Sequence, residues 1–401
     1  MRPGRKLAFR SGQIIAIPFS DNRKFVVGVI KSGGMGDVFQ LLPLLPVEIP
    51  LALKTYQGSA DPAEFQSEAR IWISLRANPN IAYALSYGEM EGTKCVLAKW
   101  YNKTLLDLKP KDLSSRTIAN IFAGIVSGLC YANDQISLIH RDIKPQNILV
   151  DAAMEPKISD FGISKHDVLE LIGFASFEST LANVHANTGL AGTPLYMAPE
   201  LFAGSRPTVV TDIFSLGVTM FTWLVGRHPY IEGGRFIGST FEHHLGLLRA
   251  SLKRDDLNLV YQAIALCLAL DPARRPQNYR DILALCGLKR SDLQQEPSEF
   301  SHIATVIDTA RVLRDQGLRH EARAMLSGEL NLNPADPMLL NSRAMLARFE
   351  KESAVATECL NHAVRILRQS NGLYHGLPYL DPYLNLGNLY RDDRRFAQAA
   401  A

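Results

Sequence analysis

The sequence predicts an α+β protein in three parts: a small β-rich lobe, a larger helical lobe and an all-α segment of helical repeats. Residues 25–30 form a β-branched run before a glycine cluster, and Pro50 leads into an apolar run at 51–53; both patterns are typical of strands. From about residue 105 to 285, apolar residues recur at helical spacing between glycine and proline breaks, which indicates packed helices. Beyond residue 302, small residues recur every 34 positions, as in helical repeat proteins.

The composition indicates a folded protein of two or three domains. The chain has 401 residues, of which 47% are hydrophobic and 21% are charged. These values are ordinary for globular domains and exclude global disorder or a coiled-coil rod. The net charge of +3 is too small to indicate a nucleic-acid or membrane-surface footprint.

The cysteines and the apolar segments predict a cytoplasmic protein. The five cysteines are scattered without a CxxC pair, which favours buried thiols in a reducing compartment over a disulfide framework or a metal site; they are Cys95, Cys130, Cys267, Cys286 and Cys359. The basic N-terminus lacks the apolar stretch and cleavage site of a secretory signal. The longest apolar run, residues 213–225, is interrupted by hydroxyl residues and is too short to span a bilayer.

The repeat is best defined by its small residues. Ala310 is matched by Ala344 and Ala322 by Ala356, with further matches at Leu313, Gly317 and Leu326 and at Ala347, Lys351 and Leu360. A third copy begins near Gly387 and stops within its second helix. The period and the small residues where two helices must touch resemble the tetratricopeptide repeat. We therefore expect a polar linker at residues 289–301 and tetratricopeptide-like repeats at 302–401, the third incomplete.

Three motifs stand in order along the larger lobe. They are HRDIKPQN at residues 140–147, DFG at 160–162 and APE at 198–200, behind a glycine-rich loop at 30–38 and a strand lysine, Lys54. With this set the chain resembles the protein kinase family, specifically bacterial eukaryotic-like (Hanks-type) Ser/Thr kinases. The resemblance implies a bilobal protein kinase fold over residues 24–288, with a small lobe at 24–98, a large lobe at 102–288 and an N-terminal extension at 1–23. It also implies ATP and Mg²⁺ as cofactors.

The glycine-rich loop is the expected phosphate cradle, because glycines let backbone N–H groups approach phosphates without a Cβ. The resemblance implies that ATP contacts Ile30, Gly33, Gly34, Gly36, Val38, Ala52 and Lys54. Lys31 stands where the family has its first glycine, a departure expected to stiffen the loop and weaken ATP binding. Lys54 would bind the α- and β-phosphates and pair with a glutamate; Glu64 and Glu68 both qualify, and Glu68 is preferred because Asn78-Pro79-Asn80-Ile81 follows its helix.

The catalytic loop implies the chemistry. By resemblance, Asp142 accepts the proton of the substrate hydroxyl, and Lys144 neutralises charge on the transferred phosphoryl group. Asn147 and Asp160 hold Mg²⁺ through hard oxygen donors. Kinases that phosphorylate tyrosine lack the lysine at this position, so IKPQN favours Ser/Thr substrates.

The remaining matches imply binding, regulatory and structural roles. Lys99 and Tyr101 would lie against the adenine edge, behind Ala98 as a small gatekeeper, although aromatic residues there equally suit a core. Arg141 would bind a phosphorylated activation segment, with candidate sites at Ser176, Ser179, Thr180 and Thr188. Thr193 would line the substrate pocket. Asp212 would brace the catalytic loop, and Glu200 and Arg275 would form a buried ion pair.

These residues predict an active, autophosphorylating Ser/Thr protein kinase whose repeats recruit protein substrates or partners. One alternative is a pseudokinase scaffold that binds nucleotide and acts through its repeats. Another is a small-molecule phosphotransferase on the same fold, against which the APE motif and Gly192-Thr193-Pro194 argue. No nucleic-acid partner is expected.

Overall fold

The computed structural model divides the chain into two compact units, one ending at Gln295 and the other continuing from Glu296. In the first unit, the structure describes residues 7–20, 23–33, 36–44, 50–56, 62–75, 78–161, 177–178, 193–232 and 235–287. In the second unit, it describes residues 303, 306, 307, 310, 314, 319–369, 373–374, 377–378 and 381–392.

The small lobe is built on an antiparallel sheet of six strands in the order β1-β2-β3-β4-β6-β5. Its strands are β1 (Ile14–Ile17), β2 (Arg23–Gly33), β3 (Gly36–Pro43), β4 (Leu51–Tyr56), β5 (Ala84–Met90) and β6 (Thr93–Lys99). Phe25, Val27, Phe39, Leu41 and Leu53 are buried on one face. The period-two alternation in these strands therefore separates this core from the opposite face, which carries Lys54.

The predicted N-terminal extension is part of this lobe. Ile14 to Ile17 pair with Val26 to Arg23, so the sheet gains a strand that lies outside the predicted boundary at residue 24. Leu7 is buried in the same apolar cluster, and the ring of Phe9 packs edge-on against Phe39 with 5.1 Å between centroids. Residues 7–20 thus belong to the small lobe rather than forming a separate tail: residues 14–17 extend the sheet, and Leu7 and Phe9 pack against its apolar cluster.

Helix α1 (Pro62–Leu75) packs beside β5 and contributes to the main core of the unit. Its apolar residues Phe65, Ala69 and Trp72 are buried at the helical spacing that the sequence shows. The indole of Trp72 donates a hydrogen bond to the carbonyl of Ala82 at 2.8 Å, which ties the helix to the chain that follows it.

The large lobe is mainly helical. Its helices are α2 (Ser115–Ile136), α3 (Pro199–Phe202), α4 (Val209–Val225), α5 (Phe241–Leu252), α6 (Asn258–Cys267) and α7 (Tyr279–Leu285). Its short strands are β7 (Lys103–Thr104), β8 (Ile148–Val150), β9 (Pro156–Ile158), β10 (Ile231–Glu232) and β11 (Arg235–Phe236). The apolar run at residues 213–225 is the buried helix α4, in which a Cβ on Gly217 would lie 2.8 Å from the Cβ of Cys267.

The described part of the second unit is mainly helical. Its helices are α8 (Arg319–Leu332), α9 (Pro337–Phe349), α10 (Ser353–Gln369) and α11 (Asp381–Asp392), and its short strands are β12 (Leu373–Tyr374) and β13 (Leu377–Pro378). The small residues at the 34-residue spacing are buried, as expected where helices touch: Ala310, Ala322, Ala344, Ala347 and Ala356 are at most 2% exposed. Leu313, Gly317 and Gly387 lie outside the residues whose side chains are described.

All five cysteines are described and carry free thiols. Burial raises the pKa of Cys95 and of Cys286 to about 12, so these thiols are poor nucleophiles. Among the described helices, none combines the length and the hydropathy that a bilayer-spanning segment needs.

Candidate active site

One buried carboxylate accepts hydrogen bonds from the backbone of the loop that follows α2. Asp212, in the first turn of α4, accepts hydrogen bonds from the backbone N–H of His140 at 2.6 Å and of Arg141 at 2.9 Å. Tyr279 donates its hydroxyl to the same carboxylate at 3.2 Å. Arg141 has a left-handed backbone, with φ +64. Because that conformation is unfavourable for a non-glycine residue, the bonds to Asp212 stabilise a turn that the chain would not otherwise keep.

Three polar side chains converge directly after this turn. Asp142 is 5% exposed, and its carboxylate accepts a hydrogen bond from Asn147 Nδ2 at 2.8 Å. Asn147 Nδ2 also lies 2.8 Å from the backbone oxygen of Asp142. Lys144 Nζ lies 3.0 Å from Asp142 Oδ2. Burial lowers the pKa of Lys144, while the charge of Asp160 raises it. The cluster thus places an amide and an ammonium within hydrogen-bond reach of one carboxylate.

A second carboxylate, Asp160, is brought to this cluster from the strand β9. The backbone N–H and the hydroxyl of Ser159, its neighbour, donate to the carbonyl of Asn147 at 2.9 and 3.1 Å. Asp160 itself has a left-handed backbone, with φ +67. Its carboxylate forms an ion pair with Lys54 Nζ from β4, so the small and large lobes meet at this pair.

The strands β2 and β3 flank the glycine-rich turn, and β3 lies beside the strand that carries Lys54. Val38 is directly opposite both Lys31 on β2 and Lys54 on β4, and residues opposite each other share a face of the sheet. Gly36 has φ +145, and a Cβ there would lie 1.9 Å from the carbonyl oxygen of Thr55. No side chain fits at Gly36, so its glycine is required by close backbone contact as well as by conformation.

Helix α1 contacts the site through the ring of Trp72, which belongs to none of the kinase motifs. Phe161 is 1% exposed, and its ring lies 6.4 Å from that of Trp72 on α1 and 5.0 Å from that of His140. The imidazole of His140 in turn lies 3.0 Å from the carbonyl of Ser159. Two of the three rings could have been found from the sequence, because His140 belongs to the HRD motif and Phe161 to the DFG motif.

Lys54 lies over the ring of the buried Tyr56, and the charge of Glu68 acts on the same tyrosine. Lys54 Nζ lies 5.1 Å from the ring centroid of Tyr56. Burial raises the pKa of Tyr56 well above its ordinary value, and the charges of Asp160 and Glu68 raise it further. Both acids are therefore close to this tyrosine. The Lys54–Glu68 pair stays a prediction, and the side chain of Glu64 lies outside the described part of the chain.

The segment after β6 joins the lobes. The N–H of Lys99 donates to Tyr83 at 2.8 Å, and that of Trp100 to Pro50 at 3.0 Å. Ala52 and Ala98 are opposite each other on β4 and β6. Tyr101 is buried in the main core, and burial raises its pKa to about 12. Its side chain is therefore a core aromatic, which was the alternative that the sequence left open.

Another ion pair of the large lobe joins Arg275 to Glu200, and its arginine is fully buried. Arg275 has a side chain that is 0% exposed and binds both carboxylate oxygens of Glu200, at 2.6 and 2.9 Å. Its remaining N–H groups donate to the carbonyls of Ala269, Val210 and Leu270. The guanidinium also lies 4.7 Å from the ring centroid of Phe214 on α4. Every donor of this arginine is thus satisfied, as burial of a charge requires.

The comparisons with known proteins agree with this geometry. A family model described as the protein kinase domain matches residues 26–282, which is well over half of the chain. The chain belongs to the protein kinase family.

Its curated relatives include plant and bacterial kinases. Leucine-rich repeat receptor protein kinase EMS1 of Arabidopsis thaliana is 30% identical over 69% of this chain and 24% of its own length. Serine/threonine-protein kinase PrkC of Bacillus subtilis (strain 168) is 28% identical over 83% of this chain and 47% of its own length. Serine/threonine-protein kinase PknD of Chlamydia abortus is 28% identical over 70% of this chain and 32% of its own length.

This protein kinase therefore spans less than half the length of each of these relatives. A solved structure, the pseudokinase domain of BIR2, an immune regulator of the RLK/Pelle family, is 20% identical and has a TM-score of 0.48, over 64% of this chain and 81% of that chain. The expected kinase fold with a β-sheet small lobe is confirmed by the family match, and kinases of this family act on proteins with ATP and Mg²⁺.

The donors of this kinase fit a nucleotide-bound magnesium ion. Asn147 directs its Nδ2 to Asp142, so its Oδ1 remains as an oxygen donor, and Asp160 adds a carboxylate. One carboxylate and one amide oxygen, completed by phosphate oxygens and water, form the kind of site that Mg²⁺ prefers. Among the described residues, no group of three or more His, Cys, Asp or Glu side chains is arranged to hold a metal ion, and a phosphate-bound ion of this kind does not require one.

Several predicted residues lie outside the described residues. They are Gly34, Ser176, Ser179, Thr180 and Thr188, and of Thr193 only the backbone is described. Thr193 begins a 3₁₀ turn, Thr193–Tyr196, that leads into α3.

Proposed function

We propose that this chain is an ATP- and Mg²⁺-dependent serine/threonine protein kinase that phosphorylates protein hydroxyls, autophosphorylates, and recruits substrates or partners through tetratricopeptide-like repeats. The observation that carries the proposal is the convergence of Asp142, Lys144 and Asn147 beside the Lys54–Asp160 ion pair. Bacterial relatives named serine/threonine-protein kinases support the Ser/Thr assignment.

Each residue of the cluster has a defined task in this mechanism. Asp142 accepts the proton of the substrate hydroxyl as its oxygen attacks in line, and Asn147 keeps the carboxylate aimed by donating to Oδ2. Lys144 neutralises charge on the phosphoryl group in transit. Lys54 positions the α- and β-phosphates, with Glu68 as its proposed partner. Asn147 and Asp160 hold Mg²⁺, which when bound neutralises phosphate charge.

The surrounding residues complete the nucleotide and substrate sites. Ile30, Gly33, Gly34, Gly36, Val38 and Ala52 form the roof over the nucleotide, and the backbone of Lys99 and Tyr101 contacts the adenine. Thr193 lines the substrate pocket. Arg141 is exposed, so its guanidinium is accessible to a phosphate on Ser176, Ser179, Thr180 or Thr188.

The repeat assignment is supported by the burial of the matched small residues. Ala344 and Ala356, from the first and second helix of one copy, are both 0% exposed. Lys351, in the turn between α9 and α10, has φ +62. Its counterpart 34 residues earlier is Gly317, a residue type suited to that conformation. The free, high-pKa thiols support a reducing, cytoplasmic location.

A pseudokinase scaffold is the competing function. Intact-mass analysis after incubation with Mg-ATP distinguishes the two, with Asp142→Asn as the control that keeps the shape of the side chain. We expect stepwise mass gains of one phosphate in the wild type, and a rate about 10²–10⁴-fold lower in the variant. Binding of ATP without any mass gain in either protein would support the scaffold.

The recruiting role of the repeats is tested in the same assay. We expect a chain that lacks residues 301–401 to phosphorylate a short peptide at close to the full-length rate, because the cores of the two units are distinct. It should lose preference for any protein substrate held by the repeats. Unfolding of the truncated chain would contradict the assignment of separate domains.

A further inference from the structure

The residue that departs from the family pattern has a specific contact. Lys31 occupies the position of the first glycine of the glycine-rich loop. Its Nζ lies 5.2 Å from the ring centroid of Trp100, within the range of a cation–π interaction. A glycine at this position has no side chain and cannot make this contact.

The strand register places Lys31 on the face of the sheet that carries the nucleotide lysine. Lys31 is directly opposite Val38, and Val38 is directly opposite Lys54. Directly opposed residues project to the same side of an antiparallel sheet. The side chain of Lys31 is therefore directed towards the cleft below the sheet, away from the buried core that contains Phe25 and Phe39.

The other end of the contact is anchored at the segment that joins the lobes. Trp100 directly follows β6, its N–H donates to the carbonyl of Pro50, and its indole donates to Asn102 Oδ1 at 2.8 Å. The first bond fixes the backbone of Trp100, and the second orients the ring above which the lysine lies.

The charge of Lys31 also extends to the first turn of the large lobe. A hydrogen bond from the backbone of Thr104 lowers the pKa of Asp107, and the nearby charge of Lys31 lowers it further. The exposed ammonium of Lys31 is therefore near both Trp100 and Asp107.

We propose that Lys31 and Trp100 form a clasp across the solvent side of the nucleotide cleft, and that Lys31 is a positioning residue that sets how long a purine nucleotide stays bound. The inference rests on the proposed nucleotide-binding function. It replaces the simple expectation that a lysine weakens ATP binding: the same side chain closes the cleft behind the nucleotide. Opening the cleft for exchange requires breaking this contact, so the clasp slows both entry and release.

The test measures association and dissociation rates of MgADP on the immobilised full-length chain. A cation–π contact at a partly exposed site contributes enough for about a two- to fivefold effect on a rate. We expect Lys31→Ala to raise the dissociation and association rate constants by this factor, and Trp100→Leu to do the same. The double variant should change no further, because both changes remove one contact. Lys31→Arg should restore the slow rates, since its guanidinium keeps the cation.

Lys24→Ala is the matched control, because Lys24 is an exposed lysine on the same strand. Because both rate constants rise by the same factor, the Kd for MgADP and the KM for the peptide should stay unchanged in Lys31→Ala. If the wild type does not bind MgADP, the proposed function fails together with the clasp. If MgADP binds but the effects of the two single variants add, or Lys31→Ala slows association, the clasp is wrong while the function stands.

Discussion

The floor and the roof of the site are held by different kinds of contact. The floor comprises residues 140–147 with Asp160 and Asp212, and its support is buried: Asp212 is 1% and Asp142 5% exposed. The roof is the β2–β3 hairpin, where Lys31 and Ile30 are exposed and the contact across the cleft is a cation above an aromatic ring. Buried polar groups must be fully partnered, whereas an exposed contact forms and breaks at little cost.

This difference matches the two requirements of phosphoryl transfer. The proposed base and metal ligands would have to keep a fixed geometry through every turnover, and their buried, fully partnered hydrogen bonds suit that role. A nucleotide would have to enter and leave in each cycle, and a weak, exposed contact in the roof suits that exchange. Substitutions at buried, fully partnered positions should therefore lower stability, and substitutions in the roof should change exchange rates.

The largest effect should follow from Arg275→Met. Removing the guanidinium leaves Glu200 and several carbonyls without their donor, and breaking a buried ion pair costs about 3–5 kcal/mol. Urea unfolding measures the change. Arg227→Met is the matched control, because Arg227 and Glu232 lie equally close at 2.6 Å but are 37% and 58% exposed; an exposed pair contributes about 0–1 kcal/mol. Equal losses of unfolding free energy in the two variants would refute the contrast between buried and exposed ion pairs.

A smaller loss should follow from Leu7→Ala. Leu7 is 3% exposed in the core of the small lobe, and truncating a buried leucine at the edge of a core costs about 2–3 kcal/mol. Leu44→Ala serves as the control, since Leu44 is 51% exposed in the same lobe. Thermal unfolding measures both. A Leu7 variant as stable as the wild type would mean that the N-terminal residues do not belong to the folded lobe.

The smallest effect concerns the alkaline pH dependence of turnover. Burial lowers the pKa of Lys144 below the ordinary 10.5. Between the folded and the unfolded pKa, the unfolded chain binds more protons, so the free energy of unfolding rises with pH across that window. The ammonium needed for transfer is lost over the same window, so kcat should fall there. Lys144→Arg should shift the alkaline fall of kcat to higher pH, because arginine stays charged. If the fall occurs at the same pH in the variant, titration of Lys144 is not its cause.

The convergence of the floor residues was largely predictable because they are close in sequence, while their catalytic roles stay a proposal. Asp142, Lys144 and Asn147 lie within six positions, so local backbone geometry alone brings their side chains together. The family and the kinase fold followed from the motifs for the same reason. Tyr101 was ambiguous, since an aromatic residue after a strand suits both a core and a binding edge, and only its burial decided between them.

Other features depended on contacts between distant segments. Residues 7–20 carry no kinase motif, and their membership of the small lobe became visible through the pairing of β1 with β2. The burial of Phe161 against Trp72 joins α1 to the catalytic floor across many intervening residues.

The sequence by itself determined the family, the order of the kinase motifs and the 34-residue spacing of the small residues, because short motifs and spacings carry this information locally. The tertiary structure alone decided that Lys54 pairs with Asp160, that Arg275 is fully enclosed, and that Lys31 lies over Trp100. Each of these depends on where the sheet register and the packing of the lobes place side chains that are far apart along the chain. Local secondary-structure propensity does not encode these long-range contacts. They form only when the folded chain buries its apolar groups and pairs its buried polar groups.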